Sequence, residues 1–262
     1  NNTQFATLVS DNITLSQTTS AQLYRFANLS GGTGNDAFVM DYSGTPSVGS
    51  MLNGGNGVDT LNYSNNTTGI IFDLANSTTT DVGNISNIES YIGGSGIDQF
   101  LMGDTNITGT LNGGAGIDIL SYASRTTAST ILLSNSNLMN IESFIGSPQN
   151  DIFSFADSSG GSGFSIDAFD GGVGTDTIMI SNGTTTLTGG TVDADINNSG
   201  TINITSNVRI DTIFTNSGTM NIGANYSSDD GSLINNATVN WTAGDLIELG
   251  GLASITNTGT FN

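Results

Sequence analysis

Residues 93–101 read Gly-Gly-Ser-Gly-Ile-Asp-Gln-Phe-Leu, and residues 113–121 read Gly-Gly-Ala-Gly-Ile-Asp-Ile-Leu-Ser. Both follow one nine-residue pattern, Gly-Gly-x-Gly-x-Asp-x-apolar-x. Its chemistry is direct: the glycines allow a tight backbone turn, the aspartate places a carboxylate at the turn's end, and the apolar residue opens an inward-facing strand. Moving outward, full copies also start at Gly31, Gly54 and Gly171. A degenerate sixth starts at Gly146, with Ser147, Pro148 and Gln149 inside it. The aspartates of the six copies are Asp36, Asp59, Asp98, Asp118, Asp151 and Asp176.

The gaps between starts are short after Gly31, Gly93 and Gly146 and long after Gly54 and Gly113. Short gaps read as one rung of a stacked chain and long gaps as two. The turns then stack as pairs, Asp36 with Asp59, Asp98 with Asp118 and Asp151 with Asp176, with a motif-free rung between pairs. Repeats on this scale imply a solenoid in which each unit buries its apolar face on the next.

Over about residues 28–180 the motif resembles the repeats-in-toxin family, whose haemolysin-type repeats bind calcium in secreted bacterial proteins. The flanking phrases match too: residues 59–63 and 118–122 as strands, and Asn87-Ile88-Glu89 and Asn140-Ile141-Glu142 before glycine turns. The resemblance implies a parallel β-solenoid with calcium held by the six aspartates and by the turns of Gly31, Gly54, Gly93, Gly113 and Gly171. Calcium takes six to eight hard oxygens, which stacked turns offer as carboxylates and carbonyls. Because the copies are interrupted here, isolated calcium sites are expected rather than a continuous row.

From about residue 183 a second repeat takes over: Asn-Ser-Gly-Thr-Ile-Asn-Ile at 198–204, Asn-Ser-Gly-Thr-Met-Asn-Ile at 216–222, Asn-Asn-Ala-Thr-Val-Asn-Trp at 235–241 and Asn-Thr-Gly-Thr-Phe-Asn at 257–262. Each reads as a turn and then a strand with apolar residues on one side and Thr/Asn on the other. These phrases resemble, in composition, the repeats of filamentous-haemagglutinin-type adhesins. A beat of roughly 19 residues runs through both halves. It passes from Asp36 through Asp81, Asp195 and Asp211 to Asp229 and Asp245, with Asn135 filling its longest step. The expected architecture is all-β: a right-handed parallel β-solenoid of twelve or thirteen rungs. Residues 1–27 would cap it or complete a partial rung, 28–182 would carry the glycine–aspartate turns, and 183–262 would continue it.

Composition agrees. The chain of 262 residues holds 36 Gly, no Cys, no His and three basic residues against 23 acidic ones, for a net charge of -20. Asn, Thr, Ser, Gly and Asp replace the Lys, Glu and Ala that dress helices, so long helices are not expected. Leu, Ile, Val and Phe make up about a quarter of the chain, above the ~20% that marks disorder. The negative charge excludes nucleic acid and anionic lipid as partners and attracts divalent cations. No apolar run approaches the ~20 residues of a membrane span. The absence of thiols suits an oxidising exterior, and a secreted or cell-surface location is expected.

Catalysis is not expected. General acid–base work usually draws on His or Lys, which the chain lacks. Arg209 beside Asp211 is the one pairing that resembles a polysaccharide lyase's basic residue next to an acidic site, and it reads better as a surface ion pair. The Thr-x-Asn rows at 201/203, 219/221, 238/240 and 260/262 read first as plain strand and corner chemistry, then as lateral packing in a fibre through Asn ladders, and last as an ice-binding array. The third positions of the glycine turns, Thr, Asn, Ser, Ala, Pro and Val, form no such array. The leading expectation is a structural or adhesive extracellular module that self-associates end to end or laterally, with a cell-surface or matrix polysaccharide as a further candidate partner. The alternative is a secretion and folding domain of an exported enzyme.

Overall fold

The structure is a computed structural model, and it describes residues 5–7, 13–16, 28–41, 48–134, 136–156, 164–228, 230–244, 246–249 and 253–262. Most of the expected cap at 1–27, together with Asn135, Asp229 and Asp245, lies outside the described residues. The fold is a parallel β-solenoid without helix among the described residues. It divides into two compact units, Asn1–Leu120 and Ser121–Asn262.

In the first unit short strands stack in parallel ladders. One runs through Asn28–Ser30, Val48–Asn53 and Val82–Ser86. Another runs through Ala37–Asp41, Thr60–Asn62, Ser90–Ile92 and Leu111–Asn112. The strands are short because glycine turns interrupt the chain every few residues. They are inward-facing at alternate positions because side chains alternate across a strand: Leu61, Phe72 and Phe100 are buried while their neighbours in strand are not. Phe72 stacks flat on Phe100, with ring centroids 4.7 Å apart, and Tyr63 meets Phe72 edge-on.

The second unit packs three parallel ladders. Their inward columns are continuous: Phe153, Ile178, Ile196, Phe214 and Leu233 in one, Phe144, Phe169 and Val192 in another, and Ile202, Met220 and Val239 in the third. All of these are buried. Each removes apolar surface worth about 1.5–3 kcal/mol from water. The ladders run without a break past residue 183, since Thr177–Asn182 pairs with Asp195–Asn198 and Thr184–Leu187 with Thr201–Ile204.

The expected beat is most even in the later rungs, where Ile202 pairs with Met220 and Met220 with Val239, and it recurs once in the first unit, where Tyr91 pairs with Leu111. In the first unit Phe38 pairs with Leu61 and Leu61 with Tyr91, steps that are wider and unequal. Among the described residues the turns number about nine, fewer than the twelve or thirteen rungs expected. The reason is local. The long gap after Gly54 is not two regular rungs, because an antiparallel excursion, Ile71–Asp73 against Thr78–Thr79, takes up part of it.

Candidate metal-binding turns

Five glycine–aspartate turns and the degenerate sixth fold as three stacked pairs, and the expected partners are in contact. The Asp36 N–H donates to Asp59 Oδ1 at 2.7 Å. The Asp98 N–H reaches Asp118 Oδ1 and the Asp151 N–H reaches Asp176 Oδ1, each at 2.7 Å. All six carboxyl-bearing residues are buried. The Ser147-Pro148-Gln149 departure leaves the third pair intact, because the Ser147 N–H and hydroxyl both donate to Asp151 Oδ2.

The two members of a pair differ. In the first turn the carboxylate closes on its own glycines: the Gly32 N–H donates to Asp36 Oδ2 at 2.7 Å and the Gly94 N–H to Asp98 Oδ2 at 2.6 Å. In the second turn the corresponding N–H turns away to the residue before the motif. Gly55 donates to Asn53 Oδ1, Gly114 to Asn112 Oδ1 and Gly172 to Asp170 Oδ1. That rotation requires positive φ, found at Gly55 (106°), Gly57 (133°), Gly114 (100°), Gly116 (135°), Gly172 (90°) and Gly174 (144°). The leading glycine is needed for a different reason, space. A Cβ on Gly54 would stand 1.9 Å from the Asn87 carbonyl and 2.3 Å from Asp59 Oδ2.

Motif-free rungs complete the stacks. The Ile70 N–H donates to Asp98 Oδ1 and the Ser129 N–H to Asp151 Oδ1. The Asp59 N–H donates to Glu89 Oε2 at 2.8 Å. Glu89 therefore continues the Asp36–Asp59 row, a role the sequence reading missed although the Asn87-Ile88-Glu89 phrase marked the position. Burial pushes the carboxyls of Asp59, Asp98 and Asp176 above the usual aspartate range. Repulsion adds to this, from Asp36 and Glu89 on Asp59, and from Asp151, Asp193 and Asp170 on Asp176.

As donors the turns are purely oxygen, which suits a hard cation such as calcium rather than a soft metal. Asp59 Oδ2 is buried and accepts no hydrogen bond, so it has unused ligand capacity. Among the described residues no three acidic side chains converge as a ready cluster. The ligands of an ion here would be the paired carboxylates with backbone carbonyls and water.

The remaining candidates are simpler. Arg209 Nε lies 2.5 Å from Asp211 Oδ2 in a largely exposed ion pair. A cavity of about 420 Å³ in the first unit is walled by apolar Leu74, Ile88, Met102 and Leu111 and by polar Thr105 and Thr108, with Glu89 as its acidic residue. The Thr-x-Asn rows face outward, in register, as expected. The asparagines that open each of those repeats, read from sequence as turn residues, are internal. Asn198, Asn216 and Asn235 are buried, and each Nδ2 donates to the next Oδ1 at 2.8, 2.7 and 2.6 Å, ending on Asn257.

Against this geometry, no family model matches the chain and no curated protein does so either.

Proposed function

We propose that this chain is a non-enzymatic structural or adhesive module of a secreted or cell-surface protein, stiffened by calcium at its paired glycine–aspartate turns. The observation that carries the reading is the stacking of three pairs of buried carboxylates. Each pair is joined across rungs by a 2.7 Å hydrogen bond, and one oxygen, Asp59 Oδ2, has no hydrogen-bond donor. Burying ionised carboxylates beside one another is unfavourable in the absence of a counter-charge. A divalent cation supplies one, and by binding only the folded chain it stabilises the fold by mass action.

The non-catalytic part rests on the absence of His and Lys and on the exposure of the Arg209–Asp211 pair. Self-association is the expected mode of assembly, with a surface polysaccharide as a second partner. The test is calorimetric titration of calcium into chelator-stripped protein, paired with thermal unfolding in calcium and in chelator. Saturable binding with a raised melting temperature is expected, and both should weaken in Asp118→Ala but not in Asp211→Ala. Equal melting in calcium and chelator would overturn the calcium reading.

A further inference from the structure

Charge is unevenly placed in the second unit. From residue 184 onward the described charged side chains are Asp193, Asp195, Arg209, Asp211 and Asp230. None falls on the sheet formed by Phe164–Ile166, Thr184–Leu187, Thr201–Ile204, Thr219–Ile222, Thr238–Trp241 and Thr260–Phe261. Its outer surface carries two straight rows. Thr184, Thr201, Thr219, Thr238 and Thr260 are in register in one. Thr186, Asn203, Asn221 and Asn240 form the other. The asparagines are tied into a ladder, Asn221 Nδ2 to Asn203 Oδ1 and Asn240 Nδ2 to Asn221 Oδ1, both at 2.8 Å. That bond uses one N–H of each amide and leaves the other for a partner. The row is therefore rigid, neutral and equipped with both donors and acceptors.

We infer that this Thr/Asn sheet is a self-association face, against which a second copy of the chain packs side by side. The inference deepens the structural-module reading and rests on it, but it does not depend on calcium. Three features favour a second copy. Two chains of net charge -20 repel each other over most of their surface, and here they can touch without burying a charge. Hydroxyls and amides both give and accept, so the face is complementary to itself, as a two-fold interface demands. The rungs of two copies also share one spacing, about 4.8 Å, so row meets row along the whole face. The six strands of the sheet, two to four residues each, cover roughly 300 Å² per copy, well below the ~800 Å² of a standard interface. One face alone therefore gives a weak, concentration-dependent pair.

Sedimentation velocity over a wide concentration range, in chelator and with salt varied, tests this apart from the metal. Association is expected to strengthen as salt screens the acidic surface. Thr201→Glu/Thr238→Glu puts charge on the face without removing an internal hydrogen bond and should weaken association at least about tenfold. Thr215→Glu, on the neighbouring sheet, should change it by less than about threefold. Because the chain has no cysteine, Thr219→Cys offers a second readout: oxidation should trap a dimer, whereas Thr215→Cys should not. A chain that stays monomeric at high salt overturns the inference, as does an equal loss in the control variant. So does a face whose glutamates abolish binding to an insoluble neutral polysaccharide while self-association is unchanged.

Discussion

The two halves of the chain handle buried polar groups in opposite ways. Between residues 28 and 182 aspartate carboxylates fill the corners, accepting N–H bonds from their own turn or from the preceding rung. After residue 183 the buried polar groups move to another column, the one that Phe155 and Ile180 fill in earlier rungs, and there they are asparagines, whose amides both donate and accept along the stack. A carboxylate only accepts, so a column of them gathers charge that something else must neutralise. An amide column is neutral and pairs along its length, with only the Asn198 Oδ1 at its head left without a donor. On the calcium reading proposed above, the first half responds to ions and protons, while the asparagine column is indifferent to both.

The sharpest contrast lies in the glycines. Gly54→Ala should cost at least about 3 kcal/mol, since its Cβ would fall 1.9 Å from a backbone oxygen that cannot swing aside. Gly223→Ala meets nothing nearer than 3.5 Å and should be close to neutral. Chemical denaturation of the two variants makes the comparison.

Next is the interior column. Asn216→Ala removes the acceptor of Asn198 and the donor to Asn235, an expected loss of about 1–3 kcal/mol. The loss should be the same in calcium and in chelator. Asp59→Asn should behave otherwise, because it keeps the Oδ1 acceptor for Asp36 and removes a buried charge. It is expected to raise stability in chelator and to lower the gain from calcium, and a calcium-independent effect would place Asp59 outside any ion site.

The proton dependence has a sign. The carboxyls of Asp59, Asp98 and Asp176 are pushed up from a starting value of 3.8. A raised carboxyl binds protons more readily folded than unfolded, so its contribution improves as pH falls through the raised value and is complete below 3.8. In chelator the melting temperature should therefore climb as pH is lowered from neutral. In calcium it should drop, because protons compete with the ion. Slopes of the same sign in both solutions would separate the carboxylates from the metal. The smallest effect is expected at Leu132, which is 69% exposed on a strand. Leu132→Ser should shift stability by no more than about 0.5 kcal/mol.

Much of this was legible in the chain. The nonapeptide marked which aspartates would meet, because its glycines make a tight turn and the spacing of copies sets the stack. The outward Thr and Asn rows followed from simple alternation. What could not be read has physical causes. The hairpin at 71–79 turns on Asp73, Asn76 and Ser77, residues that suit the corner of a regular rung equally well, so they do not distinguish an excursion from a rung. Glu89 lies outside the motif, so its bond to the Asp59 N–H is visible only once the rungs are stacked. Asn198, Asn216 and Asn235 precede Ser-Gly or Asn-Ala, where a turn is the default expectation. Only a neighbour of the same kind one rung away makes it favourable to bury them.

The alternation of turn conformations sets a rule for length. Positive-φ glycines belong to the turns that open at Gly54, Gly113 and Gly171, each following a partner of the other kind, so the smallest block that can be duplicated in that half is two turns together. Losing the second turn of a pair would set a motif-free rung against the first and strand an N–H that now has a carboxylate. The asparagine rungs obey no such parity: every rung offers its neighbour the same amide, and one can be added or removed singly. A chain lengthened by copying its own segments would thus grow by doublets in one half and by single steps in the other.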